Sequence, residues 1–321
     1  MLEDKNVKND DMFFDEKAFL RKARLKSVLR IVLISLGITI SIFILLFVIP
    51  EVVLQNQENR IDSFYPDLVK FSQPNTYAIP GESYNVRLFG RQKKYYLFRL
   101  IGNKPYPAGM ITVDFDVWGG EQTKGSTFFC VNEPGINGSS DVFSKLSTVI
   151  TEGAKKFLVP YAVPKLEFYH PSSNYEKIIR EFDALENIPN DNLAEMAVSF
   201  KKPLTFDEIK AIIPEDLKLM WGAVSVFDDE DYEKNSYLSE RLVGNPYLDN
   251  INGEKQFIIE LERLSNIPSY HSKTLKRTVS YLEKNGIKYY GIVVVGRPES
   301  LMKLYSSQMI SGAVLGLETR L

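Results

Sequence analysis

Apolar and polar residues fall along this chain in three textures. The first is an unbroken apolar run, Ile31 to Ile49, IVLISLGITISIFILLFVI, which carries no charge. As a helix rising ~1.5 Å per residue it reaches roughly 28 Å, close to the ~30 Å hydrocarbon core of a bilayer. In hydrocarbon every backbone N–H and C=O must be paired within the segment, so the run predicts a membrane-spanning helix. A buried helix of a soluble protein needs no run of this length without a polar face. A cleaved signal peptide competes, but its apolar region is about 7–15 residues long and ends in a small-x-small site. Here the longer run is followed by Pro50-Glu51-Val52-Val53. The anchor is expected to be retained.

The second texture begins after VVLQNQENRIDSFYPDLVKF, which predicts a helical stalk ending near Pro66 or shortly beyond. Segments rich in Tyr, Phe, Val and Ile follow: Tyr84–Phe89, Tyr95–Ile101, Ile111–Trp118 and Thr127–Val131. Glycine-bearing turns separate them, so they read as strands. In Val113-Asp114-Phe115-Asp116-Val117 the period is two, which puts both carboxylates on one face and the apolar side chains on the other. Asn132 to Ser140 reads as a loop and Phe143–Phe157 as a helix weakened by Gly153.

Pro160 and Pro164 suggest a boundary, after which helix-period and strand-period segments alternate. Strands are expected at Leu193–Phe200, Lys218–Phe227, Lys288–Val295 and Ser311–Glu318. Helices are expected at Phe206–Ile213, Lys255–Leu264, Lys273–Lys284 and Glu299–Tyr305. Thr205 and Glu208 form a capping-box signature, Asn285-Gly286 a helix stop, and Arg297-Pro298 a helix start. Arranged as βαβ, a helical insertion and βαβ, these pieces suit a ferredoxin-like sheet covered by helices. The expected class is α+β, with four parts: a cytoplasmic tail (1–30), the span (31–50), a stalk and β-rich region (51–159) and an outer α+β module (160–321).

Charge orients the span. Arg21, Lys22, Arg24, Lys26 and Arg30 crowd its N-terminal side, while Glu51 and Glu58 precede Arg60 on the other. Basic residues near a span stay cytoplasmic, so the N-terminus is expected inside and the remainder outside. Residues 1–30 hold eight Lys/Arg and six Asp/Glu, leaving 31 basic and 35 acidic residues in the rest. Such an outer part offers no strongly basic face for nucleic acid. Cys130 is the only cysteine, so no intramolecular disulfide is available; this suits a bacterium that does not rely on disulfides.

The polar pattern offers little catalytic chemistry. His170 and His271 are the two histidines, and neither has a second His or a Cys at ligand spacing. There is no G-x-S-x-G elbow, and Gly296-Arg297-Pro298-Glu299 lacks the Gly-rich loop and Lys-Ser/Thr pair of a phosphate cradle. Asp114 and Asp116 read as a solvated sheet face, and Asp228 to Glu233 as a solvated acidic loop. No cofactor is implied.

Two stretches point to partners instead. From Met12 the tail reads MFFDEKAFLRKARLKSVLR, in which Phe13, Phe14, Phe19 and Leu20 can share part of a helical surface. That surface could lie on anionic lipid or dock on a cytoplasmic protein; one face could do both. Within the span, Ser35/Thr39 and Gly37/Ser41 are small-xxx-small pairs that let another helix approach closely.

FLRKARLKSVLRIVLISLGITISIFILLFVI (Phe19–Ile49), Leu185–Pro189, AEMAVSFKKPLTFDEIKAII (Ala194–Ile213) and KYYGIVVVGRPESLMKLY (Lys288–Tyr305) together resemble the membrane-bound sigma-factor regulators of Gram-positive bacteria, with their N-terminal and C-terminal regulator domains. The resemblance implies a non-enzymatic anti-sigma factor that holds an extracytoplasmic-function sigma factor at the membrane and responds to envelope state. The tail is short beside the folded sigma-binding domains of zinc-type anti-sigma factors, which implies help from a second membrane protein. The competing readings are a membrane-anchored envelope enzyme, such as a cell-wall hydrolase, and a structural subunit of a transporter or division complex.

Overall fold

The computed structural model describes residues 16–102, 104–124, 164–234 and 242–320. The chain divides into two units, Met1–Val53 and Leu54–Leu321.

In the first unit, helix α1 runs from Glu16 to Phe43 and continues through a π turn, Ile44–Val48, into α2, Ile49–Ser72. The helical stretch Phe19–Ser72 is long and apolar enough to cross a membrane. Within its apolar run Ile31, Leu33, Ile38 and Phe47 are each more than half exposed within the protein, as lipid-facing side chains would be.

In the second unit, α2 does not stop at Pro66 but continues six residues to Ser72. A helix-interior proline loses one backbone bond. Burial of Val69 and Phe71 beyond it, at 3% and 2% exposure, offsets that loss. The stretch expected to be a stalk is thus a packed core helix: Leu54, Ile61, Phe64, Tyr65, Val69 and Phe71 are all buried at roughly helical spacing.

A four-stranded antiparallel sheet follows in the order β1 (Thr76–Arg87), β2 (Gly90–Ile101), β3 (Lys104–Asp116), β4 (Glu121–Lys124). β1 starts eight residues earlier than Tyr84, because a register shift between Pro80 and Ser83 carries the strand past Pro80-Gly81. The period-two expectation at residues 113–117 holds: Val113 and Phe115 are buried while Asp114 and Asp116 are not. The expected strand Thr127–Val131, loop 132–140, helix Phe143–Phe157 and boundary at 159/160 lie outside the described residues, as do Cys130, Phe13 and Phe14.

The second sheet contains β5 (Asn192–Leu204), β6 (Lys218–Val224), β7 (Gly244–Asn245), β8 (Tyr289–Gly296) and β9 (Ile310–Arg320), in the order β7-β6-β8-β5-β9. Every pairing is antiparallel. β5 and β6 therefore run parallel with β8 between them, and β8 and β9 run parallel with β5 between them. These are two interlocked split βαβ units, the ferredoxin-like arrangement. Helix α3 (Phe206–Ile212) joins the first pair and α7 (Pro298–Met302) the second. The insertion between β6 and β8 holds α4 (Asp229–Lys234), β7, α5 (Gly253–Asn266) and α6 (Ser272–Asn285).

Local signals explain where these elements begin and end. Thr205 and Glu208 close a reciprocal capping box on α3, Gly286 ends α6 at φ +75°, and Pro298 opens α7 at its first turn. The acidic segment expected as a loop at 228–233 is instead helical over Asp229–Lys234, as α4. Tyr232 drives this: it is 2% exposed and stacks on His170 with ring centroids 3.6 Å apart.

Candidate functional site

The residues that tie the second unit together converge on α2. Its apolar face supplies core, and its flanks carry acids at Glu58 and Asp62, one turn apart. On β2 the alternate residues Arg91, Lys93, Tyr95, Leu97, Arg99 and Ile101 all point inward. Cations at both ends of that face need anionic partners.

At the near end, Lys93 Nζ donates to Glu58 at 2.8 Å and to Asp62 at 2.5 Å, with its side chain only 7% exposed. Arg91 adds a bond to Glu58 at 3.2 Å, and the Tyr95 hydroxyl donates to Asp62 at 2.7 Å. Burial pushes the Glu58 carboxyl up, but hydrogen bonds from Lys93 and Ser83 and the charge of Lys93 outweigh it and hold it below its usual range. Burial likewise works against the Lys93 ammonium, yet its bonds to Asp62 and Glu58 raise it above its ordinary value.

Further contacts fasten α2 along its length. Arg60 donates to Glu121 at 2.6 Å and to the carbonyl of Pro268 at 2.5 Å, while the Tyr65 hydroxyl donates to the other Glu121 oxygen at 2.5 Å. Lys70 binds Glu260 at 3.0 Å and the Tyr247 hydroxyl at 2.5 Å, and Asp67 pairs with Lys70 and Arg263. The Trp221 indole of β6 donates to the carbonyl of Lys70 at 3.0 Å.

At the far end of the β2 inner face, Arg99 pairs with Glu195 of β5 at 3.3 Å, the two side chains being 5% and 0% exposed. Asn75, in the turn three residues past α2, donates to the other Glu195 oxygen at 2.7 Å. One helix and one strand thereby join both sheets. This is mechanical chemistry: the groups are paired with each other, and the arrangement can hold or release α2.

The other candidates are placed as follows. Phe19 and Leu20 lie on α1, 58% and 48% exposed. Ser35, Gly37, Thr39 and Ser41 are exposed on the same helix, and Thr39 Oγ1 donates to the carbonyl of Ser35 at 2.9 Å. Asp114 pairs with Arg87 and Gln92, and Asp116 accepts from the backbone N–H groups of Trp118 and Gly120. Among the described residues no group of three His, Cys, Asp or Glu could hold a metal ion. His170 is 1% exposed, and burial lowers it to about 4 against the opposing charge of Asp229. The clamp on α2 escaped the sequence reading, although its signal was present. Acids at i and i+4 on a helix match cations at i and i+2 on a nearby strand.

Comparison with known proteins fits this regulatory architecture. The family described as sigma factor regulator N-terminal matches residues 17–106, and that described as sigma factor regulator C-terminal matches residues 185–317. Together the matches take in more than half of the chain, which belongs to the sigma-factor regulator family. It is similar to the protein named Probable anti-sigma-M factor YhdL of Bacillus subtilis (strain 168), with 24% identity over 168 residues. That similarity covers 46% of this chain and 46% of the relative, so it spans about half the relative's length. No solved structure matches.

Proposed function

We propose that this chain is a single-pass membrane anti-sigma factor. In this reading residues 1–30 are cytoplasmic and hold an extracytoplasmic-function sigma factor through Phe13, Phe14, Phe19 and Leu20, with a second membrane protein completing the site. The outer unit lies beyond the membrane and reads envelope state. Ser35, Gly37, Thr39 and Ser41 form the face on which another span packs. The protein acts by binding rather than catalysis.

The observation that carries the reading is α2. The helix that leaves the apolar run at Ile49 supplies core and ion-pair partners of the outer unit through Ser72. An outer ligand can matter inside only through differential interaction with two states of the chain that crosses the bilayer. A helix shared by the crossing segment and the outer core is suited to that.

The test is Phe13→Ala/Phe14→Ala in the full chain. Aromatic anchors commonly dominate helix-docking interfaces, and each truncation is expected to cost ~2 kcal/mol, about thirtyfold in affinity. The sigma regulon should rise while immunoblots of membrane fractions stay constant. Unchanged output at normal protein level removes these aromatics from sigma binding and leaves them to the lipid surface. A reporter fused after Leu321 should be active outside, and activity in the cytoplasm would overturn the orientation.

A further inference from the structure

The β1–β2 turn at 88–89 and the β3–β4 turn at 117–120 lie at one end of the first sheet, because Gly90 is paired with both Arg87 and Asp116. Leu88 and Trp118 are 45% and 77% exposed there, and Trp118 lies against Phe89 with ring centroids 5.5 Å apart. These three side chains line an open cleft of about 680 Å³, bordered by the Arg87–Asp114 ion pair. The turn that presents Trp118 is well built. Asp116 accepts from the backbone N–H groups of Trp118 and Gly120, both at 2.9 Å, and Gly119 adopts φ +84°. A large aromatic side chain is thus held out in water by an ordered turn.

A second observation ties this end of the sheet to the apolar run. The same end of the sheet is fastened to Glu58, which accepts from Ser83 at 2.8 Å, Lys93 at 2.8 Å and Arg91 at 3.2 Å. Glu58 follows the last residue of the apolar run, Ile49, by nine positions. Even a fully extended chain of that length reaches only about 30 Å, so covalent connection keeps these turns within reach of the bilayer surface. Tryptophan is enriched where an apolar ring meets headgroups, and arginine can bury its stem while its guanidinium stays wet.

We propose that the tip formed by Leu88, Phe89 and Trp118 is a lipid-docking surface, seating the outer unit on the bilayer interface. The inference rests on the reading of Ile31–Ile49 as a span. Trp118 enters the headgroup and upper acyl region, and Arg87 sits at headgroup level.

The experiment uses the full chain reconstituted in phosphatidylcholine vesicles, with or without bromine on the upper acyl chain. The protein has two tryptophans, and Trp221 is fully buried with its indole bonded to the Lys70 carbonyl. Brominated lipid should therefore reduce Trp118 emission, by about twofold for a ring inserted to ~5–10 Å. Trp118→Phe should abolish the bromine-sensitive part, and Leu88→Asp should weaken the quenching while Trp221 emission is unchanged. Trp118 that ignores bromine and is open to aqueous iodide overturns the proposal and leaves the tip for a protein partner. Alkaline extraction of the same vesicles reads the span separately. Protein that washes off would refute the span and the docking together, whereas retained protein with an iodide-accessible Trp118 refutes docking alone.

Discussion

Replacing Arg99 by Met should destabilise the outer unit through the carboxylate it leaves behind. Glu195 is fully buried, with one oxygen accepting from Asn75 at 2.7 Å and the other from Arg99 at 3.3 Å and the Leu317 N–H at 3.4 Å. Removing one partner of a buried ion pair generally costs about 3–5 kcal/mol, because the other charge stays desolvated. Two neutral donors remain here and the Arg99 contact is long, so the lower end, about 3 kcal/mol, is expected. With total stabilities of about 5–15 kcal/mol, that is a large fraction. For a unit of this size, whose urea dependence exceeds about 3 kcal/mol per molar, the midpoint should fall by somewhat less than about 1 M.

The double variant Arg99→Met/Glu195→Gln should regain most of the loss, because a neutral amide keeps the Asn75 bond without a stranded charge. The assay is urea unfolding of the full chain in mild detergent. Trp118 reports on the first sheet, and Trp221, isolated in a Trp118→Phe background, reports on the second. A single variant that loses less than about 1 kcal/mol, or a double variant as unstable as the single, would refute the argument. The two probes also test the boundary expected after residue 159. Coincident transitions mean one cooperative unit, and separate ones mean two.

Two more outcomes follow from buried groups. His170 is held neutral, lowered from 6.5 to about 4 by burial. Between those values the unfolded chain takes up a proton that the native chain refuses, so stability should fall as pH drops through this window. His170→Gln should flatten that slope in urea midpoints measured from pH 7 to pH 4; an unchanged slope would assign it to other groups. Lys93→Met leaves Asp62 without the ammonium at 2.5 Å and should blunt the stimulus-driven change in regulon output while basal output stays as it was. Lys94→Met should not change output, because its ammonium lies over the Tyr84 ring rather than in the clamp; equal effects of the two substitutions would remove the clamp from signal transfer.

Much of the second sheet was legible because its signals are local. The capping box at Thr205 and Glu208, the stop at Asn285-Gly286 and the start at Arg297-Pro298 each act within one helical turn. The alternation of helix and strand periods then fixed the order of the βαβ units. What escaped depends on long-range partners. The helix expected to end near Pro66 or shortly beyond runs to Ser72, carried there by burial of Val69 and Phe71. The run from Asp228 to Glu233 reads as a solvated loop; its acids are exposed, but Asp229–Lys234 is helical, with Tyr232 stacked on His170. Gly90 to Lys93 reads as a turn between strands, whereas β2 already begins at Gly90 and acids 31 to 35 residues earlier draw Arg91 and Lys93 inward.

In the proposed function, the packing of α2 also constrains the kind of signal the second unit can send. Ile61 and Phe64 are fully buried, and Leu54 and Phe71 nearly so. Withdrawing even two such side chains from the core costs about 3–6 kcal/mol before the ion pairs are counted. To move a two-state equilibrium from 1:99 to 99:1, a ligand needs about 5.5 kcal/mol of differential binding. A stimulus that slid α2 along the sheet would spend most of that on broken core contacts. Cheaper transitions keep residues 54–72 in place and change something else. The outer unit could move as a body carrying α2, change its association with another copy or partner, or exchange the exposed Leu88–Trp118 tip between two surroundings. The clamp at Glu58 and Asp62 is then best understood as what keeps α2 and the sheet moving together, so that an event at the sheet is felt at Ile49. On this argument, variants that weaken the clamp should uncouple stimulus from response while the sigma factor stays bound. Variants in the apolar face of α2 should instead lower protein abundance.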